Sequence, residues 1–177
     1  MPDVESQVRQ WLERVVIGLN LCPFAGVPYR NGLVRFAVSR AATDEALLSD
    51  LRSELQRLDE TPAESLETTL LVVADMLGDF EAYNQFLDEV DILLKRGRWV
   101  GVYQVASFHP QYRFEGTESD DPGNLTNRSP WPILHILREA SIDQALADHP
   151  HPEAIPERNM QLMQKLNEEE RREFFPR

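Results

Sequence analysis

Apolar residues near the N-terminus recur at helical spacing. Those from Val4 to Leu19 fall on one stripe of a helix, at Val4, Val8, Trp11, Leu12, Val15 and Leu19. This helix should end before Pro23, because proline disfavours helical geometry at the residue that precedes it. Cys22 is therefore expected in a turn just past the helix end.

Three later segments have the patterns of β-strands. In Leu33 to Ser39 the apolar positions alternate, with Arg35 facing the other way, as in a half-buried strand. Thr68 to Ala74 contains an unbroken apolar run, which is typical of a central strand covered on both faces. Trp99 to Phe108 supplies a third strand.

Helical patterns separate these strands, at Leu47 to Leu58 and at Phe80 to Leu94. The second is expected to begin after Asp79 as N-cap and to end at Gly97 in a left-handed cap. Alternating strands and helices favour parallel strands joined by crossovers. The predicted fold class is α/β or α+β: a small, partly parallel sheet of three to four strands, with crossover helices, an N-terminal helix and two C-terminal helices.

The last third of the chain is predicted to be a loop followed by helices. A polar loop spans about 109–129, with a short extra strand considered at Tyr112 to Glu115. Helices are predicted from Pro130 to Ala147 and from Pro156 to about Glu169, because proline suits the first helical turn. A solvated end is expected at about 168–177, and residues 1–177 fit a single globular domain.

Composition narrows the classes of partner and compartment. The net charge is -12 and the 18 basic residues are scattered, which argues against nucleic acid and anionic membranes. No apolar stretch approaches the length of a membrane span. The single cysteine allows no intrachain disulfide, and the charged N-terminus lacks an apolar signal core, so a cytoplasmic location is expected. Cofactors and oligomeric state stay open.

Unusual chemistry concentrates between Ser107 and Leu137. His109 closes the third predicted strand, where ligands gather in sheets with parallel strands. It could move a proton or could hold the loop by a structural hydrogen bond.

An anion site is considered at the predicted helix start, where Ser129 would be the N-cap beside Arg128. Such a helix end could equally well only cap itself. On the same predicted helix, His135 and Arg138 could face a cleft, with His135 pairing with His109 in acid–base catalysis, or they could lie on the surface.

Two further groups are candidates. Cys22, His109 and His135 could bind zinc, or Cys22 could be a nucleophile, although lone cysteines are usually small buried hydrophobes. Oxygen atoms of Asp120, Asp121, Asn124 and Asn127 could contact a metal or a substrate, although the same residues favour tight turns. The catalytic candidates are His109, His135 and Cys22. The substrate-binding candidates are Arg128, Ser129, Asn124, Asn127, Asp121 and Arg138, and no metal ligand is predicted.

Three segments together resemble a known family: LNLCPFA at 19–25, ASFHP at 106–110, and DDPGNLTNRSP at 120–130 continuing into LHILRE at 134–139. They are similar to the family catalogued as domain of unknown function 1415, over about Val8 to Asn159. The resemblance implies a bacterial-type cytosolic protein and brings no activity, cofactor or catalytic residue with it.

Two functional hypotheses follow from the residues. The first is an enzyme acting on a small anionic metabolite, in which Arg128 and Ser129 hold the anion and His109 or His135 moves a proton. The alternative is a non-catalytic ligand-binding or protein-interaction module whose histidines organise the loop. Convergence of Cys22, His109, Arg128 and His135 in one cleft would favour the enzyme, and burial with backbone partners would favour the module.

Overall fold

A computed structural model describes residues 3–176. Its strands are β1 (Val34–Ser39), β2 (Thr68–Val73), β3 (Tyr103–Phe108) and β4 (Ile133–Arg138). Its α-helices are α1 (Val4–Trp11), α2 (Gly26–Arg30), α3 (Asp44–Glu60), α4 (Phe80–Arg96), α5 (Glu139–Asp148), α6 (Ile155–Lys165) and α7 (Glu168–Phe174). Helix α1 continues into a π-helical segment, Leu12–Ile17, and 3₁₀ turns lie at Pro122–Asn127 and Pro152–Ala154.

The four strands form one mixed sheet in the order β1-β2-β4-β3. Strand β1 is parallel to β2, and β4 is antiparallel to both β2 and β3. Strands β1, β2 and β3 therefore run in the same direction, as crossover helices require, and β4 enters between β2 and β3 the other way. The predicted fold class is confirmed.

Both faces of the sheet are covered. On one face, α3 and α4 pack against alternate strand residues such as Leu71, Leu134 and Ile136. On the other face, α1, the π-helical segment and α6 pack against residues such as Leu70 and Ile133. Every residue of β2 is buried, which explains its unbroken apolar run.

The N-terminal helix agrees with the sequence pattern. Helix α1 and the π-helical segment together end at Ile17, and Cys22 lies in the turn that follows. In the π-helical segment Leu12, Val15 and Val16 are all buried, so the wider turn places neighbouring apolar residues on the same face.

The helix predicted from Pro130 to Ala147 is wrong in its first half. Residues Ile133–Arg138 form strand β4, and α5 begins only at Glu139. The apolar spacing of Ile133, Ile136, Leu137 and Ala140 fits a helix, but a strand buried on both faces contains a similar run. Pairing with two neighbouring strands decided the outcome.

The short strand considered at Tyr112 to Glu115 does not form. This segment belongs to the connection between β3 and β4, and its backbone groups bond to backbone and side-chain groups of the same loop. Phe114 N–H, for example, donates to Asn124 Oδ1 at 2.9 Å.

The C-terminal region contains two helices, α6 and α7, divided at Leu166. In the segment predicted as a solvated end, about 168–177, the acidic start of α7 is exposed, whereas Phe174 and Phe175 pack against the α1 side of the core. Arg177 lies outside the described residues.

The end of α4 differs from the expected glycine cap. Asp79 is the N-cap as predicted, its side chain accepting from Ala82 N–H. Gly97, however, has a right-handed φ of -80°, and the left-handed residue is Arg98, with φ of 59°. A Cβ on Gly97 would lie 2.2 Å from the Trp99 ring, so close packing, not chain reversal, requires glycine there.

No helix within residues 3–176 is long and apolar enough to cross a membrane.

Candidate functional site

His109 is fully buried and both of its ring nitrogens are engaged by backbone groups. Nε2 lies 2.9 Å from Leu77 O, a carbonyl that can only accept, so Nε2 carries the proton. Nδ1 accepts from Gln111 N–H at 2.9 Å. Burial lowers the pKa of His109, although Leu77 O and Asp79 oppose the shift. The imidazole is neutral, and a second proton would break the bond to Gln111.

His135 lies in the middle of β4, not on a helix, and is partly buried. Its Nε2 is 2.8 Å from Thr68 Oγ1. Because Thr68 Oγ1–H donates to Ile136 O at 2.6 Å, the hydroxyl accepts from His135, which fixes the neutral Nε2–H tautomer. Burial lowers the pKa of His135 to about 4.

The two histidines contact different surroundings. His109 packs against the rings of Phe80 and Tyr83, on the side of the sheet covered by α3 and α4. His135 packs near Phe108, which belongs to the cluster on the α1 side. They share no hydrogen-bond partner in the described part of the chain, which gives no support to an acid–base pair.

Cys22 is partly buried against the apolar cluster on the α1 side. Burial raises the pKa of its thiol, the direction opposite to that of an activated nucleophile. Within residues 3–176, no three or more His, Cys, Asp or Glu side chains are grouped as metal ligands. The three-ligand zinc arrangement with His109 and His135 is therefore wrong.

Three polar residues of the loop bind backbone groups, two of them within the loop and one in strand β3. Asn124 is fully buried, accepts from Phe114 N–H and donates to Glu118 O at 2.9 Å each. Asn127 Nδ2 donates to Ser107 O at 3.1 Å. Asp121 Oδ1 accepts from Gly123 N–H at 2.8 Å and begins the 3₁₀ turn. Asp121 and Asn124 thus have the turn-forming roles that such residues favour, and Asn127 joins the loop to strand β3.

The helix start predicted for the anion site is wrong, because Ser129 precedes strand β4 and no helix begins there. Ser129 Oγ donates to Trp131 O at 2.6 Å. The Arg128 guanidinium donates to Tyr112 O at 3.2 Å and to Ser119 O at 2.7 Å, so that it joins distant parts of the loop.

Arg138 lies at the far end of β4 from Ser129, about 17 Å from the start of the strand at ordinary strand rise. Its guanidinium donates to three carbonyls, those of Leu58, Thr61 and Leu66, at 2.6–3.0 Å through Nη2. It thereby satisfies the C-terminal end of α3. The residues chosen from the sequence are thus not gathered in one cleft.

A different group of side chains lines a surface cavity of about 450 Å³. All of its charged lining residues are arginines: Arg9 from α1, Arg35 from β1 and Arg57 from α3. Val34, Phe36 and Thr61 are among the other lining residues. With Glu5 beside Arg9 and Glu54 beside Arg35 and Arg57, the three guanidiniums exceed their carboxylate partners by one positive charge, in a chain of net charge -12.

Glu54 organises two of these arginines. Its side chain is only 9% exposed and accepts from Arg35 Nε at 2.8 Å and Nη2 at 3.1 Å, and Arg57 Nε lies 3.6 Å away. The Glu54 contact raises the pKa of Arg35, which is already permanently charged. One carboxylate thus serves two guanidiniums, leaving N–H donors of both toward solvent.

Arg9 approaches the cavity from the opposite face of the sheet. Its guanidinium carbon lies 4.1 Å from the centroid of the Phe36 ring, a cation–π distance. Glu5 Oε1 lies 2.8 Å from Arg9 Nη2, and the Arg9 side chain is 45% exposed. Tyr29, which donates to Glu13, packs edge-on to Phe36 and supports that ring.

The cavity follows the outer edge of the sheet. A second cavity, of about 260 Å³, continues along β1 and is lined by Asp50, Ser53 and Glu54 of α3. The two cavities share Arg35 and Phe36, and together their walls include every residue of β1 from Val34 to Ser39. We call this surface the β1 groove.

Sequence reasoning missed the arginine group because its members are far apart in the chain. One signal was present in the sequence, because Arg35 is the polar position in an alternating strand. Where a helix covers that face of the strand, a charged side chain needs a partner of opposite charge. Glu54 and Arg57, three apart on α3, supply the partner and the next charge.

Comparison with known proteins gives a family and nothing more specific. Residues 3–173 match the profile of the family described as "Protein of unknown function (DUF1415)". Because the match covers nearly the whole chain, the protein belongs to this family, and the resemblance in its motifs is confirmed. No curated protein and no solved structure matches the chain.

Proposed function

We propose that the protein is a non-catalytic binding module that recognises carboxylate or phosphate groups at the arginine-lined end of the β1 groove. The observation that carries this proposal is the cavity of about 450 Å³ whose charged lining residues are Arg9, Arg35 and Arg57. Planar guanidiniums suit the paired oxygens of a carboxylate or phosphate.

The state of the histidines favours the module over the enzyme. Both nitrogens of His109 bind backbone groups, and the pKa of His135 is lowered to about 4. A general base works best with a pKa near the operating pH and with a free nitrogen facing its substrate. Enzymatic turnover by histidine chemistry and a cytoplasmic location stay predictions from the sequence.

Preorganisation supports recognition at this place. The bidentate bond from Arg35 to nearly buried Glu54 and the stacking of Arg9 on Phe36 hold two of the guanidiniums before a ligand arrives. Holding the donors in advance reduces the side-chain entropy that binding costs.

Calorimetric titration with citrate tests the proposal. Citrate should bind to the native protein, and Arg9→Gln or Arg57→Gln should weaken it about fivefold to tenfold, because each removes one charge-assisted contact. Arg52→Gln is the matched control, since Arg52 is exposed on α3 and lies outside the groove. Absence of citrate binding, or equal binding by all three variants, contradicts the proposal.

A further inference from the structure

Among the residues that the structure describes, the outer edge of β1 has backbone groups that no other strand pairs. Within residues 3–176, β1 is the last strand on its side of the sheet. Leu33 O accepts from Thr68 N–H at 3.3 Å and Ser39 O from Ala74 N–H at 3.1 Å. Because backbone groups alternate in direction along a strand, the N–H and C=O of Val34, Phe36 and Val38 point away from β2, into the groove.

We propose that the β1 groove binds an extended, acidic segment of a partner protein, which adds to the sheet as a fifth strand beside β1. This proposal rests on the proposed function, because it identifies the carrier of the anionic groups as a peptide. Strand addition gives affinity through backbone hydrogen bonds and specificity through alternate side chains.

The two sides of the groove predict the pattern of that segment. On the α3 side, Arg35 and Arg57 remain 37% and 51% exposed and would meet carboxylate side chains. On the α1 side, Val34, Phe36 and Val38 belong to the apolar cluster and would meet apolar side chains. An added strand should therefore alternate acidic and apolar residues.

Charge also predicts where the acidic residues lie along the strand. The arginines are at the Val34 end, whereas Asp50 lines the Ser39 end, where it accepts from Ser39 Oγ. Acidic side chains should therefore be concentrated at the Val34 end, with neutral polar ones beyond it.

An isolated strand fits the groove better than a second copy of the chain. Helices α1 and α3 flank the edge on its two sides, since residues of both line the groove. A second copy would bring its own flanking helices against them and would add another net charge of -12. A short peptide has no flanking helices and does not add a second net charge of -12.

Fluorescence polarisation with a labelled peptide tests strand addition. The probe has two glutamates that alternate with valines, followed by alternating threonines and valines. Wild-type protein should bind it, and Val34→Pro should weaken binding about tenfold, because proline removes the outward N–H without removing a bond to β2. Val34→Ala, which keeps that N–H, should bind within about twofold of wild type.

Changes to the backbone of the peptide provide a second test of strand addition. N-methylation of alternate residues keeps every charge and should abolish binding, and a lysine-for-glutamate peptide should not bind. Circular dichroism and a cooperative urea unfolding transition of Val34→Pro verify that the variant folds. Equal binding of the methylated peptide would mean side-chain attraction alone and would overturn strand addition.

The remaining outcomes separate this proposal from the proposed function. Citrate binding without peptide binding overturns strand addition and leaves the anion module standing. If the wild-type protein binds neither citrate nor the peptide, both the anion module and strand addition are overturned. If sedimentation shows a dimer that Val34→Pro converts to monomer, the occupant is a second copy and the peptide proposal is wrong.

Discussion

His109 shows how a reactive residue type can serve the fold alone. Its ring joins Leu77 O, beyond β2, to Gln111 N–H, at the start of the long loop, and it packs against Tyr83. Tyr83 in turn donates to Ile133 O and accepts from Phe108 N–H, and burial raises its pKa far above the ordinary value. The end of the sheet is thus held by two neutral side chains.

His109→Ala should destabilise the protein by about 2–4 kcal/mol. The change leaves two part-buried backbone groups without partners and opens a cavity beside Tyr83. Urea unfolding measures the loss, and His151→Ala, at an exposed site, should change the free energy of unfolding by less than about 0.5 kcal/mol. A loss below about 1 kcal/mol for His109→Ala would contradict the structural role.

His135 should make stability fall in mild acid. Its pKa is 6.5 when unfolded and about 4 when folded, so the unfolded chain binds the proton first. The effect on the free energy of unfolding is absent above pH 6.5. As the pH falls to 4, it lowers that free energy by up to about 3 kcal/mol. His135→Gln keeps a donor for Thr68 and cannot titrate.

Urea unfolding at a series of pH values measures this effect as the difference between wild type and His135→Gln. The difference should grow from pH 6.5 to pH 4, while carboxylates and His109 titrate equally in both proteins and cancel. His149→Gln is the control. A difference independent of pH would show that the pKa of His135 is not depressed.

At the scale of elements, the connection between β3 and β4 is held by side chains in place of a ladder. Asn124 alone bonds to Phe114, Thr117 and Glu118. Such a loop can be rigid without strands or helices, provided that its buried amide keeps all its partners.

Asn124→Ala should therefore loosen the loop before the sheet. Hydrogen exchange followed by mass spectrometry should become faster across residues 110–121 and stay unchanged in β2, because only local bonds are lost. Asn84→Ala on the exposed side of α4 is the matched control. Faster exchange spread equally over the sheet would show that Asn124 stabilises the whole fold.

The end of α4 gives a pair of opposed predictions. Gly97→Ala should cost about 1–3 kcal/mol, because its Cβ would overlap the Trp99 ring, which is fixed by a bond to Asp59. Arg98→Gly should be neutral or should stabilise by up to about 1 kcal/mol, since it relieves a left-handed φ of 59°. Thermal unfolding of both variants tests the pair, and equal effects would contradict it.

The elements also show what the sequence could and could not predict. Strands β1, β2 and β3 and helices α1, α3 and α4 were predictable, because each has a clear period of two or 3.6 residues. Strand β4 was not, because its apolar run lies between two strands and lacks a distinguishing period. Because β4 was predicted as a helix, Ser129 was wrongly expected at a helix start and His135 on a helix face. The error in this one element therefore also made the predicted placement of these two residues wrong.

At the scale of the whole molecule, the arginine group depends on three elements that only the complete fold brings together. Sequence alone could show that Arg9, Arg35 and Arg57 exist, but not that α1, β1 and α3 place them around one cavity. His109, Asn124 and Asn127 attracted attention because they are close in sequence. They are close because all three hold the connection between β3 and β4.

The net charge of -12 and the local arginine group should give opposite responses to salt. Raising sodium chloride from low concentration to about 0.15 M shortens the Debye length to about 8 Å and screens the general self-repulsion. The free energy of unfolding should therefore rise. Citrate and acidic-peptide binding should weaken over the same range, because the attraction at the β1 groove is screened as well.

Parallel urea unfolding and citrate titration across that salt range test the distinction. Arg57→Gln should show a smaller salt dependence of binding than wild type and nearly the same salt dependence of stability, since one exposed charge barely alters the net charge. Arg52→Gln should match wild type in both. If binding strengthens with salt, apolar contacts dominate the β1 groove and the arginines do not define its ligand.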